Sequence, residues 1–173
     1  MTKNYRPKPF DKYLYEKNDK IAKDITIKAF LNNYGYNLEE NPDIYGPDLK
    51  AYEDGKFIGY VETEIKYVWK DGLDRLPYET LHIPERKSRL LKYANRPNER
   101  TPIVFCVLAN DLKAGFWIDG ETLSECPIIT KSNIYIDRED FFEIHLSKVN
   151  YFFVEPKKTE RDNNESVESQ SSK

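Results

Sequence analysis

Two carboxylates and an ammonium group at strand-like spacing are the residues of this chain best suited to chemistry. In Gly46–Lys66, GPDLKAYEDGKFIGYVETEIK, the ionisable Glu62, Glu64 and Lys66 alternate with Val61, Thr63 and Ile65. Successive side chains of a β-strand point to opposite faces, so the three ionisable groups share one face. Alone, such a face is an ordinary solvated edge. Asp48, preceded by Pro47, can join it from the other arm of a hairpin, because Asp54-Gly55 between two extended runs is a strong turn signal. Register decides the matter. A three-residue loop with Gly55 in a left-handed bulge position pairs Tyr52 with Lys56 and Asp48 with Tyr60, on the side of Glu62 and Glu64. A strict two-residue Asp54-Gly55 turn shifts each pair by one and sends Asp48 to the other face. The bulged loop or an equivalent offset is therefore required. Given it, Asp48 and Glu64 can share one hard divalent cation, Mg2+ or Mn2+, with waters and phosphate oxygens. Lys66 could then orient or deprotonate a water, or stabilise charge developing on phosphate. These are the parts that phosphodiester hydrolysis needs.

Pro47-Asp48, followed across a hairpin by Glu64-Ile65-Lys66, resembles the PD-(D/E)XK nuclease superfamily, which includes restriction endonucleases, phage junction-resolving endonucleases and DNA-repair nucleases. The resemblance runs from the first helix to an apolar run beginning at Ile103, and later strands match loosely. It implies a restriction endonuclease-like α/β fold, with a small mixed central sheet flanked by helices. It also implies DNA hydrolysis with Mg2+ or Mn2+, with RNA left open as a substrate. The catalytic residues it implies are Asp48, Glu64 and Lys66, of which Asp48 and Glu64 hold the metal. The family often adds an acid from the first helix, for which Glu16, Asp19 and Asp24 are candidates. Asp24, three turns before Gly35, matches the spacing of the junction-resolving members. Glu62 is expected in a supporting or surface role. In the helix after the E-x-K strand, Arg86, Lys87 and Arg89 would contact nucleic-acid phosphates. The same residues also suit a solvated helix, with Glu85 pairing to Arg89 for about a few tenths of a kcal/mol.

The elements that must position these groups can be read along the chain. Ile21, Ala22, Ile25, Ala29 and Phe30 recur at helical spacing, widened by Ile27 and Leu31, and Gly35 suits the C-cap. A loop, Glu39–Gly46, leads to the hairpin. Lys70–Ile83 reads as a loop, and within it and before it Tyr67, Trp69, Leu73 and Tyr78 lie near Lys70 and Arg75. Such aromatics can stack on unpaired bases or simply form core. Pro84 suits the first turn of the helix ERKSRLLKYA. Asn95–Pro102 is a polar connection. Ile103–Ala109 is a continuous apolar run that reads as a strand buried on both faces. Gly115–Ile118, Phe141–Leu146 and Val149–Val154 read as strands, with a turn at Asp119-Gly120. The folded domain is expected over residues 10–155, and 156–173, poor in apolar residues, as a disordered tail.

Composition narrows the function classes. Lys+Arg (27) nearly balance Asp+Glu (30), so contact with nucleic acid must come from a local basic face rather than bulk charge. Cys106, Cys126, His82 and His145 lack the close spacing of a zinc site, and Cys106 reads as a buried, reduced thiol. Met1–Phe10 has no apolar signal core and no stretch approaches membrane-spanning length, so a cytoplasmic protein without a membrane partner is expected. Richness in Lys, Asn, Ile and Tyr is associated with AT-rich genomes and fits a phage or mobile element, acting in the host cytoplasm. A sequence-specific enzyme would want a homodimer and an added recognition segment. The size of this chain leans to a structure-selective or end-processing enzyme. The alternative is a non-catalytic module that keeps the nuclease fold and binds a protein or nucleic acid.

Overall fold

In a computed structural model that describes residues 12–70, 78–97, 99–132 and 137–155, a long helix opens the fold. Helix α1 (Lys12–Tyr34) has no internal Gly or Pro, and Gly35, at φ 73°, ends it with a hydrogen bond from its N–H to Leu31 O at 3.0 Å. Ala22, Thr26, Ala29 and Phe30 form its buried stripe, whereas Leu31, expected on that face, is 50% exposed. In chain order there follow β1 (Asn37–Glu40), β2 (Leu49–Glu53), β3 (Lys56–Lys66), β4 (Thr80–Pro84), a 3-10 turn at Glu85–Lys87, and α2 (Ser88–Ala94). Then come β5 (Asn95–Arg96), β6 (Glu99–Arg100), β7 (Ile103–Ala109), β8 (Ala114–Asp119), α3 (Gly120–Ser124), β9 (Ile128–Lys131), β10 (Glu139–His145) and β11 (Asn150–Phe153).

The architecture is mixed α/β. One six-stranded sheet has the order β1-β2-β3-β7-β8-β11, antiparallel except for the β3–β7 pair. A three-stranded antiparallel sheet, β4-β10-β9, forms a second layer. Alternation along the central strand β7 divides the core in two. Cys106 and Leu108 face α1 with Val61, Leu49 and Phe30. Phe105, Val107 and Ala109 face Leu81, Ile83, Phe142 and Ile144 of the second sheet, with Leu90 of α2 and Leu123 of α3. The expected flanking helices are thus present, α1 on one face and the short α2 and α3 on the other, but a second sheet covers much of that other face, because apolar residues alternate in β4 and β10.

Other differences have local causes. The end of the expected loop Lys70–Ile83 is strand β4, whose Leu81 and Ile83 are buried. Asp119-Gly120 is not a simple turn: the Asp119 carboxylate accepts from Thr122 N at 2.8 Å and caps α3. The connection Asn95–Pro102 contains the small β5–β6 ribbon, and β9 has no counterpart in the expected strands. Trp69 is fully buried as core, while Tyr67 and Tyr78 are exposed. Leu73 and Arg75, residues 1–11 and the expected tail 156–173 lie outside the described residues.

The register of β2 on β3 determines where Asp48 points. Asp54 (φ 49°) and Gly55 (φ 77°) make a two-residue turn that pairs Glu53 with Lys56 and Tyr52 with Phe57. That turn alone would send Asp48 to the wrong face. Ile58 is then bulged, so that Ala51 pairs with Gly59, Lys50 with Tyr60 and Leu49 with Val61. The expected pairs Tyr52–Lys56 and Asp48–Tyr60 are corrected: the offset comes from a bulge inside β3, and continuing it sets Asp48 opposite Glu62. Gly59 permits this course, since a Cβ there would lie 2.6 Å from Pro102 O, the carbonyl that accepts from Tyr60 N at 2.9 Å. Gly59→Ala should therefore destabilise the fold by about 1–3 kcal/mol. Urea denaturation checks this, and an unchanged midpoint would mean that the strands have slack at this point.

Candidate functional site

The bulge in β3 brings three carboxylates to one rim of the main sheet. Asp48 is fixed twice: its Oδ2 accepts from Thr63 N at 2.9 Å, and its own N–H donates to Glu62 Oε2 at 3.3 Å. From the second layer, Lys87 in the 3-10 turn extends its ammonium between the other two acids. Its Nζ lies 3.3 Å from Glu62 Oε1 and 2.7 Å from Glu64 Oε2. Lys66 follows on the same face, half-buried, and donates to His82 O of β4 at 2.9 Å. Beneath the strand, Thr63 Oγ1 and Thr26 Oγ1 of α1 are 2.7 Å apart, which ties the helix to the strand that carries the acids.

Burial and mutual repulsion set the proton affinities. Burial pushes Glu62 up to about 7, the Asp48 charge adds to this, and Lys87 opposes it. Asp48 is raised by burial and by Asp19, against the Thr63 N–H, Lys23 and Lys87. Burial would lower the Lys87 pKa, but Glu64 and Glu62 outweigh it and the net shift is upward. Lys66 moves down, first through burial and then through Lys131 and Lys87, with Glu64 opposing. The site thus holds one ammonium firmly charged and another closer to giving up its proton.

The structure brings Asp48, Glu64 and Lys66 to one region and adds Glu62 as a central member rather than a peripheral one. Asp24 is corrected. It lies on the outward face of α1, 53% exposed, and pairs with Lys20 at 3.2 Å. The helix residues that approach the rim are Asp19 and Lys23: Lys23 Nζ is 2.8 Å from Asp19 Oδ2 and 3.9 Å from Asp48 Oδ1. Counting turns from Gly35 fixed a distance along the helix but not a face. Placing Asp19 and Lys23 on the stripe of Ala22, Thr26 and Phe30 would have found them. The three basic residues also separate. Lys87, expected on phosphate, is 15% exposed and engages the carboxylates. Arg86 is exposed and pairs with Glu139, and Arg89 donates to Tyr45 O at 2.8 Å.

The donor chemistry suits a hard cation, since Asp48, Glu62 and Glu64 offer the oxygen ligands that Mg2+ and Mn2+ take. Among the described residues, however, no group of three acidic, His or Cys side chains converges closely enough to hold a metal ion in this arrangement, in which the cation between Glu62 and Glu64 is an ammonium. No helix among those residues is long and apolar enough to cross a membrane. Comparison with protein-family models, curated proteins and solved structures gave no match.

The Glu62 shift has a consequence for stability. Its ordinary value is 4.5 and its folded value about 7, so the folded state keeps a proton that the unfolded chain releases between those values. Its stabilising contribution is complete below pH 4.5 and is lost as pH rises through about 7. Glu62→Gln, neutral at every pH, should gain stability relative to wild type across that window, as read by urea midpoints in chelator. A pH-independent difference would contradict the assigned burial.

Proposed function

We propose that the chain is a metal-dependent nuclease of the PD-(D/E)XK type, with a restriction endonuclease-like fold, that hydrolyses phosphodiester bonds in DNA. The observation that supports this most is the bulge at Ile58, which gathers Asp48 with Glu62 and Glu64 on one face despite the cost of burying like charges together. Asp48 and Glu64 would hold Mg2+ or Mn2+, with Glu62 beside them. Bound there, such an ion supplies Lewis acidity toward a phosphate oxygen and a more acidic water. Lys66, with its pKa lowered, orients a water or takes its proton, and the His82 carbonyl fixes where its ammonium sits. Lys87 must leave at least Glu64 for the ion to bind, and it is then placed to meet the substrate phosphate. Lys23, itself held by Asp19, faces the Asp48 carboxylate from the helix side.

One observation favours a second reading, a non-catalytic module that binds a protein or nucleic acid. The Lys87 ammonium already pairs with Glu62 and Glu64, as it would if the acids served only the fold.

Cleavage separates the two. Supercoiled plasmid, linear duplex, single strand and four-way junction should be incubated with Mg2+ or Mn2+, with Asp48→Ala and Lys66→Ala proteins alongside. The nuclease reading expects metal-dependent cleavage that falls by at least about 100-fold in each variant. Wild type that is folded yet as inert as the variants on every substrate would favour the binding module.

A further inference from the structure

Ile44 and Tyr45 are 83% and 77% exposed, more than any other large hydrophobic side chain among the described residues. They sit at the tip of the loop that delivers Asp48, and that loop is firmly braced. Asn41 Nδ2 donates to Pro47 O at 2.9 Å, Tyr45 N to Asp43 Oδ1 at 3.0 Å, and Gly46 N to Asp43 O at 3.0 Å. From α2, the Tyr93 hydroxyl donates to Asp43 Oδ2 at 2.7 Å and Arg89 Nη1 to Tyr45 O at 2.8 Å. Gly46 is packed so closely that a Cβ would lie 2.7 Å from Asn41 Nδ2 and 2.9 Å from Tyr93 Cζ. None of these bonds uses the side chain of Ile44 or Tyr45. The loop therefore presents an aliphatic and an aromatic group to solvent from a backbone that is already ordered, which lowers the entropy lost when something binds them.

The surroundings identify the occupant. Two side chains are far too little surface for a stable protein interface, which buries about 800 Å² per partner. They are enough for one base, because a single aromatic ring stacks on any base through its π-face. Arg89 spends one N–H on the loop, and its guanidinium, a fork of five donors, is exposed beside it. Arg96 and Lys50 lie near enough to act on Asp43, whose charge is tied first by the Tyr93 hydroxyl and then by the Tyr45 amide. An exposed guanidinium beside an aromatic tip supplies the parts needed to hold a backbone and stack its base.

We propose that Ile44 and Tyr45 seat an unpaired base of the DNA strand whose phosphodiester lies at Asp48 and Glu64, an inference that rests on the nuclease reading above. Such a contact makes the enzyme selective for single-stranded or frayed substrate.

The test is fluorescence anisotropy of the full chain on a labelled single strand and on the matching blunt duplex, with Ca2+ replacing Mg2+. Tyr45→Ala should weaken single-strand binding about ten-fold or more, leave duplex binding within about two-fold, and be rescued by Tyr45→Phe. Both variants keep the Tyr45 backbone groups that brace the loop, so the fold should be retained. Equal single-strand binding by wild type and Tyr45→Ala would overturn the inference while leaving the nuclease reading intact. So would equal losses on single strand and duplex, or a wild-type dimer that dissociates in Ile44→Ala. Wild type that binds neither DNA would overturn both.

Discussion

Carboxylates withdrawn from water and set side by side oppose their own ionisation, and the organisation of this protein around Asp48, Glu62 and Glu64 follows from the need to answer that opposition. The answer comes from two directions. Thr63 N–H meets Asp48 from the strand, and Lys87 meets Glu62 and Glu64 from the second layer. Lys87 is placed there because β4, anchored by Leu81 and Ile83, hands the chain to a 3-10 turn, and Leu90 then pins α2 in the core. Removing one partner from a buried pair strands the other charge, and Lys87 has two acids, so the loss of either one leaves its ammonium paired.

The helix on the opposite face serves the same cluster. α1 is held to the end of the sheet by Asn33 Nδ2 donating to Phe153 O at 2.7 Å and Asn32 Nδ2 to Val154 O at 3.2 Å. That fixes its rotation, so that Thr26 meets Thr63 beneath β3 and the Asp19–Lys23 pair reaches the rim beside Asp48. Cys106 belongs to this support: it is buried 3.8 Å from Thr26 Oγ1 with its thiol pushed up to about 12, so it acts in packing and not as a nucleophile.

Much of this was legible in the sequence, and the misses share a cause. Period-two alternation gave β3 and its two faces, the apolar run Ile103–Ala109 gave the central strand, and Asp54-Gly55 gave the turn. The dependence of the site on a register offset was also readable, but its place was not. The bulge at Ile58 goes with the close approach of Gly59 to Pro102, a contact distant in sequence. The same holds for Lys87, which looks like one of three solvated cations until β4 is known to pack over β3. Asp19 is the exception, since the stripe of Ala22, Thr26 and Phe30 already puts it, and not Asp24, on the side of the helix that meets the sheet. Nothing in the sequence sets Ile44 and Tyr45 apart within a polar loop, because their exposure matters only on a braced backbone.

In the proposed nuclease, this carboxylate cluster exchanges the Lys87 ammonium for a divalent cation. Calorimetric titration of Mn2+ into metal-free wild type and Glu64→Gln, each shown to be folded by circular dichroism, tests it most directly. Saturable binding by wild type that is lost in Glu64→Gln is the expected result. Folded wild type that takes up no Mn2+, or uptake that Glu64→Gln leaves unchanged, would contradict it and leave Lys87 as the permanent partner of these acids.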